Sequence, residues 1–240
     1  MQKDNKLQFI YILPNLFTAA SIFVGTLSII NAANGHFAKA AYLIFLALFF
    51  DGLDGRVARL TKTTTKFGAE FDSLADIVSF GVAPAVLFYF AIGEGFGKLG
   101  SLAAAVYVVF GAVRLARFNV TSLSLEPSVF IGVPIPTAAV FSASWILTAL
   151  YLKSSFFDFI VLVNIFLIAL LMVSNIRYPS FKKIDLKKAN VRKVLVILIL
   201  LFSLIYLNPI GALFIASTSY VLFGIGRGFY HFVLKRKGKV

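Results

Sequence analysis

The sequence contains no cysteine, only ten acidic residues and few charged residues of any kind, which make up 14% of its 240 positions. Without cysteine there is no disulfide, no thiolate metal ligand and no cysteine nucleophile. The apolar fraction is 60%, well above the roughly 45–50% typical of a soluble domain. A soluble globule is therefore excluded, and so is a disordered chain, which would be poor in apolar residues.

Long apolar runs are present instead, and they are typical of helices that cross a membrane. One crossing needs roughly 20 mostly apolar residues, whereas a membrane β-barrel would show alternating segments of about 10 residues. The sequence therefore predicts an all-α, polytopic membrane helix bundle, a single domain over residues 1–240. About eight transmembrane helices are expected, at approximately 11–33, 37–57, 69–91, 98–117, 133–152, 156–174, 191–207 and 210–233.

Basic residues give the net charge of +13, and their placement predicts the orientation of the bundle. If the N-terminus is cytoplasmic, 20 of the 23 Lys and Arg fall on inner segments, and only Lys39, Lys98 and Lys153 fall outside. This asymmetry follows the positive-inside rule. It predicts a multi-pass protein of the cell membrane with both termini cytoplasmic and an uncleaved first helix. It also accounts for the basic charge without nucleic acid, and it favours contact with anionic lipids.

Four of the ten acidic residues fall within one window of 26 residues. Asp51 and Asp54 are spaced i, i+3 at the end of the second span, and Asp72 and Asp76 are spaced i, i+4 at the start of the third. Each pair lies on one helix face, and the short connection should bring both pairs together near the cytoplasmic face. Clustered carboxylates in a membrane protein indicate function, and all-oxygen ligation suits Mg²⁺, Mn²⁺ or Ca²⁺. The alternative is a solvated loop in which the neighbouring basic residues neutralise the acids.

Small residues are interspersed with these acids. Gly52, Gly55, Ala58 and Gly68 would let another helix or a ligand approach the backbone closely. Arg59 is suited to bind a phosphate group through two nitrogens, although it also fits as a basic residue flanking a span.

Together these residues form an extended motif. Residues 51–59 read DGLDGRVAR, Gly68 follows after eight residues, and Asp72 and Asp76 follow at further gaps of three residues. This pattern resembles the signature of the CDP-alcohol phosphatidyltransferases. Other segments resemble the membrane-type phosphatidylserine synthase branch of that family: PNLFT at 14–18, VSFGVAP at 78–84, RLARFN at 114–119, GVPIP at 132–136 and SNIRYPSF at 174–181. The resemblance covers about residues 10–182 and leaves 191–233 as two additional helices.

The resemblance implies a reaction and a role for each motif residue. A phosphatidyl group would pass from CDP-diacylglycerol to the hydroxyl of L-serine, and CMP would be released. A divalent metal, Mg²⁺ or Mn²⁺ with Ca²⁺ as a third candidate, would be bound by four carboxylates, and Asp76 would also be the general base. These residues are Asp51, Asp54, Asp72 and Asp76. The CDP-lipid would contact residues of the first three spans, namely Asn15, Thr18, Gly55, Ala58, Arg59 and Gly68.

Two further implications concern the acceptor and the assembly. Serine carries its own carboxylate, and Arg114 and Arg117, at the cytoplasmic end of the fourth span, are candidates to bind it. Members of the family are homodimers with a site open to the inner leaflet, so the same is expected here.

Other functions remain open from the sequence. Within the same family, glycerol phosphate or an inositol phosphate is the alternative acceptor alcohol, and an archaeal ether lipid is the alternative donor. A cation or proton transporter would also use intramembrane acids, but transporters usually bind their ions near the membrane midplane. A purely structural protein would leave the four carboxylates unexplained.

Overall fold

The computed structural model describes residues 2–61, 63–121, 129–179 and 207–236. Its helices are α1 (Gln2–Ala33), α2 (Phe37–Thr61), α3 (Lys66–Asp76), a π-helical turn (Ile77–Val82), α4 (Ala83–Ala91), a 3₁₀ turn (Gly93–Phe96), α5 (Lys98–Thr121), α6 (Ile135–Leu152), α7 (Ser155–Val173) and α8 (Pro209–Arg236). Two three-residue strands, β1 (Val129–Ile131) and β2 (Arg177–Pro179), pair antiparallel.

The prediction of an all-helical membrane bundle is confirmed. Six helical segments among the described residues are long and apolar enough to cross a bilayer: 12–33, 66–91, 98–120, 135–152, 155–173 and 209–228. The chain is therefore a multi-pass membrane protein. The second of these segments, 66–91, joins α3, the π-helical turn and α4 into one continuous span.

Helix α2 differs from these six because it is charged at both ends. Only residues 40–50 separate Lys39 from Asp51. The count of eight spans stays a prediction, since the expected seventh span, 191–207, lies outside the described residues.

Helices α1 and α2 form an antiparallel pair joined by side-chain hydroxyls. The Ser28 hydroxyl donates to the Ala40 carbonyl oxygen at 2.8 Å, and Thr18, ten residues earlier on α1, donates to Asp54 on α2. Because these hydroxyls face the partner helix, the N-terminal half of α1 lies beside the acidic end of α2.

Contacts between helix ends gather the polar parts of the chain at this same end of the bundle. Ser73 on α3 and Asn119 on α5 exchange hydrogen bonds of 3.0 and 3.3 Å. At the start of α6, the Gly132 backbone N–H donates to the Ile176 carbonyl at 2.9 Å. Gly132 has a φ of +75°, and a Cβ there would lie 2.2 Å from the Met172 carbonyl oxygen, so glycine is required.

Candidate active site

The acidic residues predicted to cluster do meet. Asp51 on α2 and Asp72 and Asp76 on α3 each offer a carboxylate oxygen, and these three oxygens lie within 4.8 Å of one another. The i, i+4 spacing puts Asp72 and Asp76 on one face of α3, and the short connection from Thr61 to Lys66 folds that face back against α2.

Asp76 is the most deeply placed of the three. Its side chain is 9% exposed, and its Oδ1 atom has no hydrogen-bond partner among the described residues. A buried acceptor without a partner is costly, and so is a group of like charges at close range. A hard divalent cation among the three carboxylates would relieve both costs, so the donor set fits the metal expected from the sequence.

Asp54 lies next to this trio but is bound differently. Its Oδ2 atom accepts a hydrogen bond of 2.7 Å from the Thr18 hydroxyl of α1, and its side chain is buried. Of the four predicted metal ligands, the structure therefore brings three to one point. It places Asp54 in the wall of a neighbouring cavity.

This cavity has a volume of about 170 Å³. All six residues predicted to contact the CDP-lipid line it, and Asp54 and Asp72 form part of its wall. The lining is Pro14, Asn15, Thr18, Asp54, Gly55, Ala58, Arg59, Thr63, Thr64, Thr65, Gly68, Ala69 and Asp72. The metal-binding and lipid-binding predictions thus refer to two adjoining parts of one site.

Glycines keep the cavity open where the sequence analysis expected close approach. A Cβ at Gly68 would lie 3.1 Å from Thr65 Oγ1 and 3.4 Å from Asn15 Oδ1. At Gly55 it would lie 3.5 Å from Arg59 Nη1, so the Arg59 guanidinium rests beside that backbone. Gly52 differs from both, because nothing lies within 4 Å of its missing Cβ.

Three threonines in the cavity wall were missed by the sequence analysis. Thr65 caps α3, where its hydroxyl accepts the Gly68 N–H at 3.0 Å, and Thr63 is buried with its hydroxyl 2.7 Å from that of Thr61. The available signal was the run Thr63–Thr65 between the two acidic pairs, because threonine before a helix is a common N-cap.

The two arginines considered for serine binding have different surroundings. Arg114 is 7% exposed and is an electrostatic neighbour of Asp76, with its guanidinium 5.4 Å from the centre of the Phe118 ring. Arg117 instead donates to the Val173 and Ser174 carbonyl oxygens at 3.1 and 3.0 Å and so caps the end of α7. Arg114 is thus placed beside the carboxylate trio, and Arg117 holds the end of α7.

Comparison with known proteins assigns the chain to a known family. The family model for CDP-alcohol phosphatidyltransferases matches residues 11–176. The chain belongs to the CDP-alcohol phosphatidyltransferase family. It is therefore a phosphatidyltransferase enzyme, and the acidic motif at residues 51–76 lies inside the matched region.

Individual relatives of this phosphatidyltransferase extend the match. A CDP-diacylglycerol–serine O-phosphatidyltransferase of Helicobacter pylori strain 26695 is 47% identical over 225 residues, covering 91% of each chain. The protein of the same name from Bacillus subtilis is 32% identical over 71% of this chain and 92% of its own. An archaetidylserine synthase of Methanothermobacter thermautotrophicus is 39% identical over 75% of this chain and 74% of its own.

The family model ends before α8, but α8 reaches the site of this phosphatidyltransferase. Tyr220 on α8 is an electrostatic neighbour of Arg114, and its ring centre lies 5.5 Å from that of the buried Tyr178 on β2. The sequence predicted the last helix only as an additional span and gave Tyr220 no role. Its position in an apolar run gives no signal that separates it from an interfacial tyrosine.

Proposed function

We propose that this chain is a CDP-diacylglycerol–serine O-phosphatidyltransferase, that is, a phosphatidylserine synthase. The observation that carries the proposal is the juxtaposition of three carboxylates with a cavity lined by every residue expected to contact the nucleotide. The names of relatives that align over most of this chain support the same acceptor.

The cavity is proposed to hold part of the CDP head group. Its volume of about 170 Å³ is below the roughly 300–1,000 Å³ typical of a pocket for a whole drug-sized ligand. The lipid chains therefore extend along the outside of the helices. Arg59, beside Gly55, supplies positive charge for the pyrophosphate.

The carboxylates are proposed to hold the divalent metal. Asp51, Asp72 and Asp76 would bind it, with Asp54 at the border to the nucleotide cavity. When bound, the metal would neutralise charge on the pyrophosphate oxygens as CMP leaves. Mg²⁺ and Mn²⁺ are the preferred candidates, and Ca²⁺ is the third.

Asp76 is proposed to be the general base. Its carboxylate takes the proton from the serine hydroxyl as the serine oxygen forms a bond to the phosphorus of the phosphatidyl group. The bond from that phosphorus to the CMP oxygen breaks, and CMP leaves with the electron pair. Arg114, buried beside Asp76, is proposed to bind the serine carboxylate and so to orient the hydroxyl. Arg117 is proposed to contribute less to serine binding, because its guanidinium holds the end of α7.

The site is proposed to face the cytoplasm, in a homodimer. The placement of 20 of 23 basic residues supports this orientation. The N-terminal half of α1 and the β1–β2 ribbon lie at the acidic end of the bundle, in agreement with it. The dimer follows from the family resemblance, and the mass of the detergent-solubilised protein, measured by light scattering, tests it.

The deciding experiment measures CMP release by purified protein in detergent with CDP-diacylglycerol, a divalent metal and a panel of alcohols. We expect release that depends on L-serine and is lost with a chelator or in Asp76→Asn. Asp158→Asn is the matched control. Asp158 lies in the first turn of α7, at the opposite end of that helix from Arg117, so this variant should keep its activity.

Each alternative has its own outcome in this assay. Release of CMP with glycerol phosphate or an inositol phosphate, and none with serine, would assign that alcohol as the acceptor in place of serine. Because one relative is an archaetidylserine synthase, an ether-linked CDP-lipid is tested as donor beside the diacyl form.

A further inference from the structure

The helix that carries Asp72 and Asp76 departs from α geometry immediately after Asp76. Residues Ile77–Val82 form a π-helical turn, in which the Ala83 N–H donates to the Val78 carbonyl. Each residue of an α-helix turns the chain by about 100° around the helix axis. A π-helical turn holds more residues, so it changes the rotation of α3 relative to α4 about that axis. The direction of the carboxylates on α3, relative to the buried face of α4, is therefore set by this turn.

Pro84 gives the turn a cause in the sequence. Proline has no N–H and clashes with the carbonyl four residues earlier, which here belongs to Phe80. The Phe80 carbonyl oxygen instead accepts a hydrogen bond of 3.3 Å from the buried Tyr107 hydroxyl of α5. π-helical turns of this kind are frequent at functional sites.

A pair of buried serines fixes the middle of the turn to α1. The Ser79 hydroxyl donates to the Ser21 carbonyl oxygen at 2.9 Å, and the two hydroxyl oxygens are 3.3 Å apart. A Cβ at Gly25, one turn further along α1, would lie 2.6 Å from Ser79 Oγ, so glycine there permits the close approach. Both serines are at most 1% exposed.

The same serine pair reaches the helix that carries Asp51. The Ser21 hydroxyl lies 3.2 Å from the Ala47 carbonyl oxygen of α2. Ala47 precedes Asp51 by four residues, so this carbonyl also accepts the Asp51 N–H in the regular α-helical pattern. The turn of α2 that carries Asp51 and the π-helical turn that follows Asp76 are thus tied to one point on α1.

We propose that Ser21 and Ser79 are positioning residues, which hold the π-helical turn against α1 and α2 and thereby fix the Asp76 carboxylate relative to that of Asp51. The proposal rests on the proposed function in one respect, namely that these carboxylates hold a divalent cation. The serines act through the backbone that carries the acids.

The test compares Ser79→Ala and Ser21→Ala with a matched control, Ser144→Ala. Ser144 on α6 is equally buried and lies 3.2 Å from the Ser217 hydroxyl of α8, so the control also breaks a contact between two serines on neighbouring helices. Two quantities are measured without substrate: the affinity for Mg²⁺, Mn²⁺ and Ca²⁺ by calorimetry, and the Tm of the cation-free protein.

We expect Ser79→Ala to weaken cation affinity by about tenfold or more, as loss of a supporting contact to metal ligands does. Its Tm without cation should fall no further than that of Ser144→Ala, which should keep wild-type affinity. The double variant Ser21→Ala/Ser79→Ala should bind no more weakly than the weaker single variant, because both changes remove the same link. Ser21→Ala gives the same comparison if Ser79→Ala does not fold.

The proposal is overturned if both single variants bind the cation as the wild type does, or if Ser144→Ala weakens binding equally. It is overturned together with its premise if the wild type binds none of Mg²⁺, Mn²⁺ and Ca²⁺. A wild type that binds the cation but releases no CMP with any acceptor overturns the proposed function alone, and the affinity comparison among the serine variants still decides the positioning role.

Discussion

Thr18 shows how a single residue serves both helix pairing and the site. Its hydroxyl has two acceptors in reach, the Pro14 carbonyl oxygen of its own helix at 3.2 Å and Asp54 Oδ2 at 2.7 Å. The shorter contact joins α1 to a carboxylate in the wall of the cavity proposed to hold the CDP head group. Hydrogen bonds to a charged group are the stronger kind, so Asp54 is the partner whose loss should matter.

We predict that Thr18→Val weakens the use of CDP-diacylglycerol. Valine keeps the shape but removes the Thr18 donor from a buried carboxylate, and the loss of a hydrogen bond to a charged group costs about 1.5–3 kcal/mol. The KM for CDP-diacylglycerol should rise about tenfold or more, while the KM for serine stays near that of the wild type, in steady-state CMP release.

The control for this variant is Thr148→Val on α6, where the hydroxyl donates only to the Ser144 carbonyl of its own helix, at 2.8 Å, among the contacts described. An equal rise in KM for both variants would mean that the Asp54 contact has no particular role.

At the scale of elements, α8 is fastened to the rest of the bundle by specific contacts. The Trp145 indole N–H on α6 donates to the Thr218 hydroxyl at 3.0 Å, and the indole ring centre lies 4.8 Å from that of Phe214. Further along α8, the ring of Tyr178 packs directly on the backbone at Gly224. The β1–β2 ribbon and α8 therefore depend on each other for their positions.

We predict that Gly224→Ala destabilises the protein, although alanine is the better helix former. A Cβ at this position would lie 1.8 Å from Tyr178 Cε1, so the buried ring or the helix must move. Overpacking of this kind costs about 1–3 kcal/mol, and the Tm of the detergent-solubilised protein should fall accordingly.

Gly226 lies two residues further along the same helix and supplies the control. Nothing lies within 4 Å of the Cβ that Gly226→Ala would add, so this variant should be neutral or slightly stabilised. A Tm for Gly224→Ala that equals or exceeds that of Gly226→Ala would contradict the observed packing.

At the scale of the whole molecule, the helices bring polar groups from distant parts of the chain to one end. The acidic trio, the cavity, Arg114 and the β1–β2 ribbon all lie there, whereas Lys98 begins α5 at the other end of the span that starts at Lys66. Such an arrangement suits an enzyme whose lipid substrate stays in the bilayer while its polar substrate comes from water.

We predict from the charge asymmetry that the acidic end is cytoplasmic. The chain has no cysteine, so a single introduced thiol reports its own side of the membrane. In intact cells, a membrane-impermeant maleimide should label Lys98→Cys and should reach Glu70→Cys, which is exposed at the acidic end, only after the cells are opened. The reverse pattern would invert the proposed orientation.

Much of this protein followed from local features of its sequence. Long apolar runs dictate membrane helices because backbone groups must be satisfied within each span. The i, i+3 and i, i+4 spacings placed Asp51 and Asp54, and Asp72 and Asp76, on shared faces before any packing was known. The small residues Gly55, Ala58 and Gly68 predicted the close approach of a ligand, and all three line the cavity.

Other features were decided only by how the helices pack. The periodicity of the sequence shows which residues share a helix face, but it does not show which face meets which helix. Packing alone made Asp54 the partner of Thr18, turned Arg117 to the end of α7 and brought Tyr220 beside Arg114. The π-helical turn after Asp76 belongs to the same class, because the buried contacts at Ser79 and Phe80 that hold it come from α1 and α5.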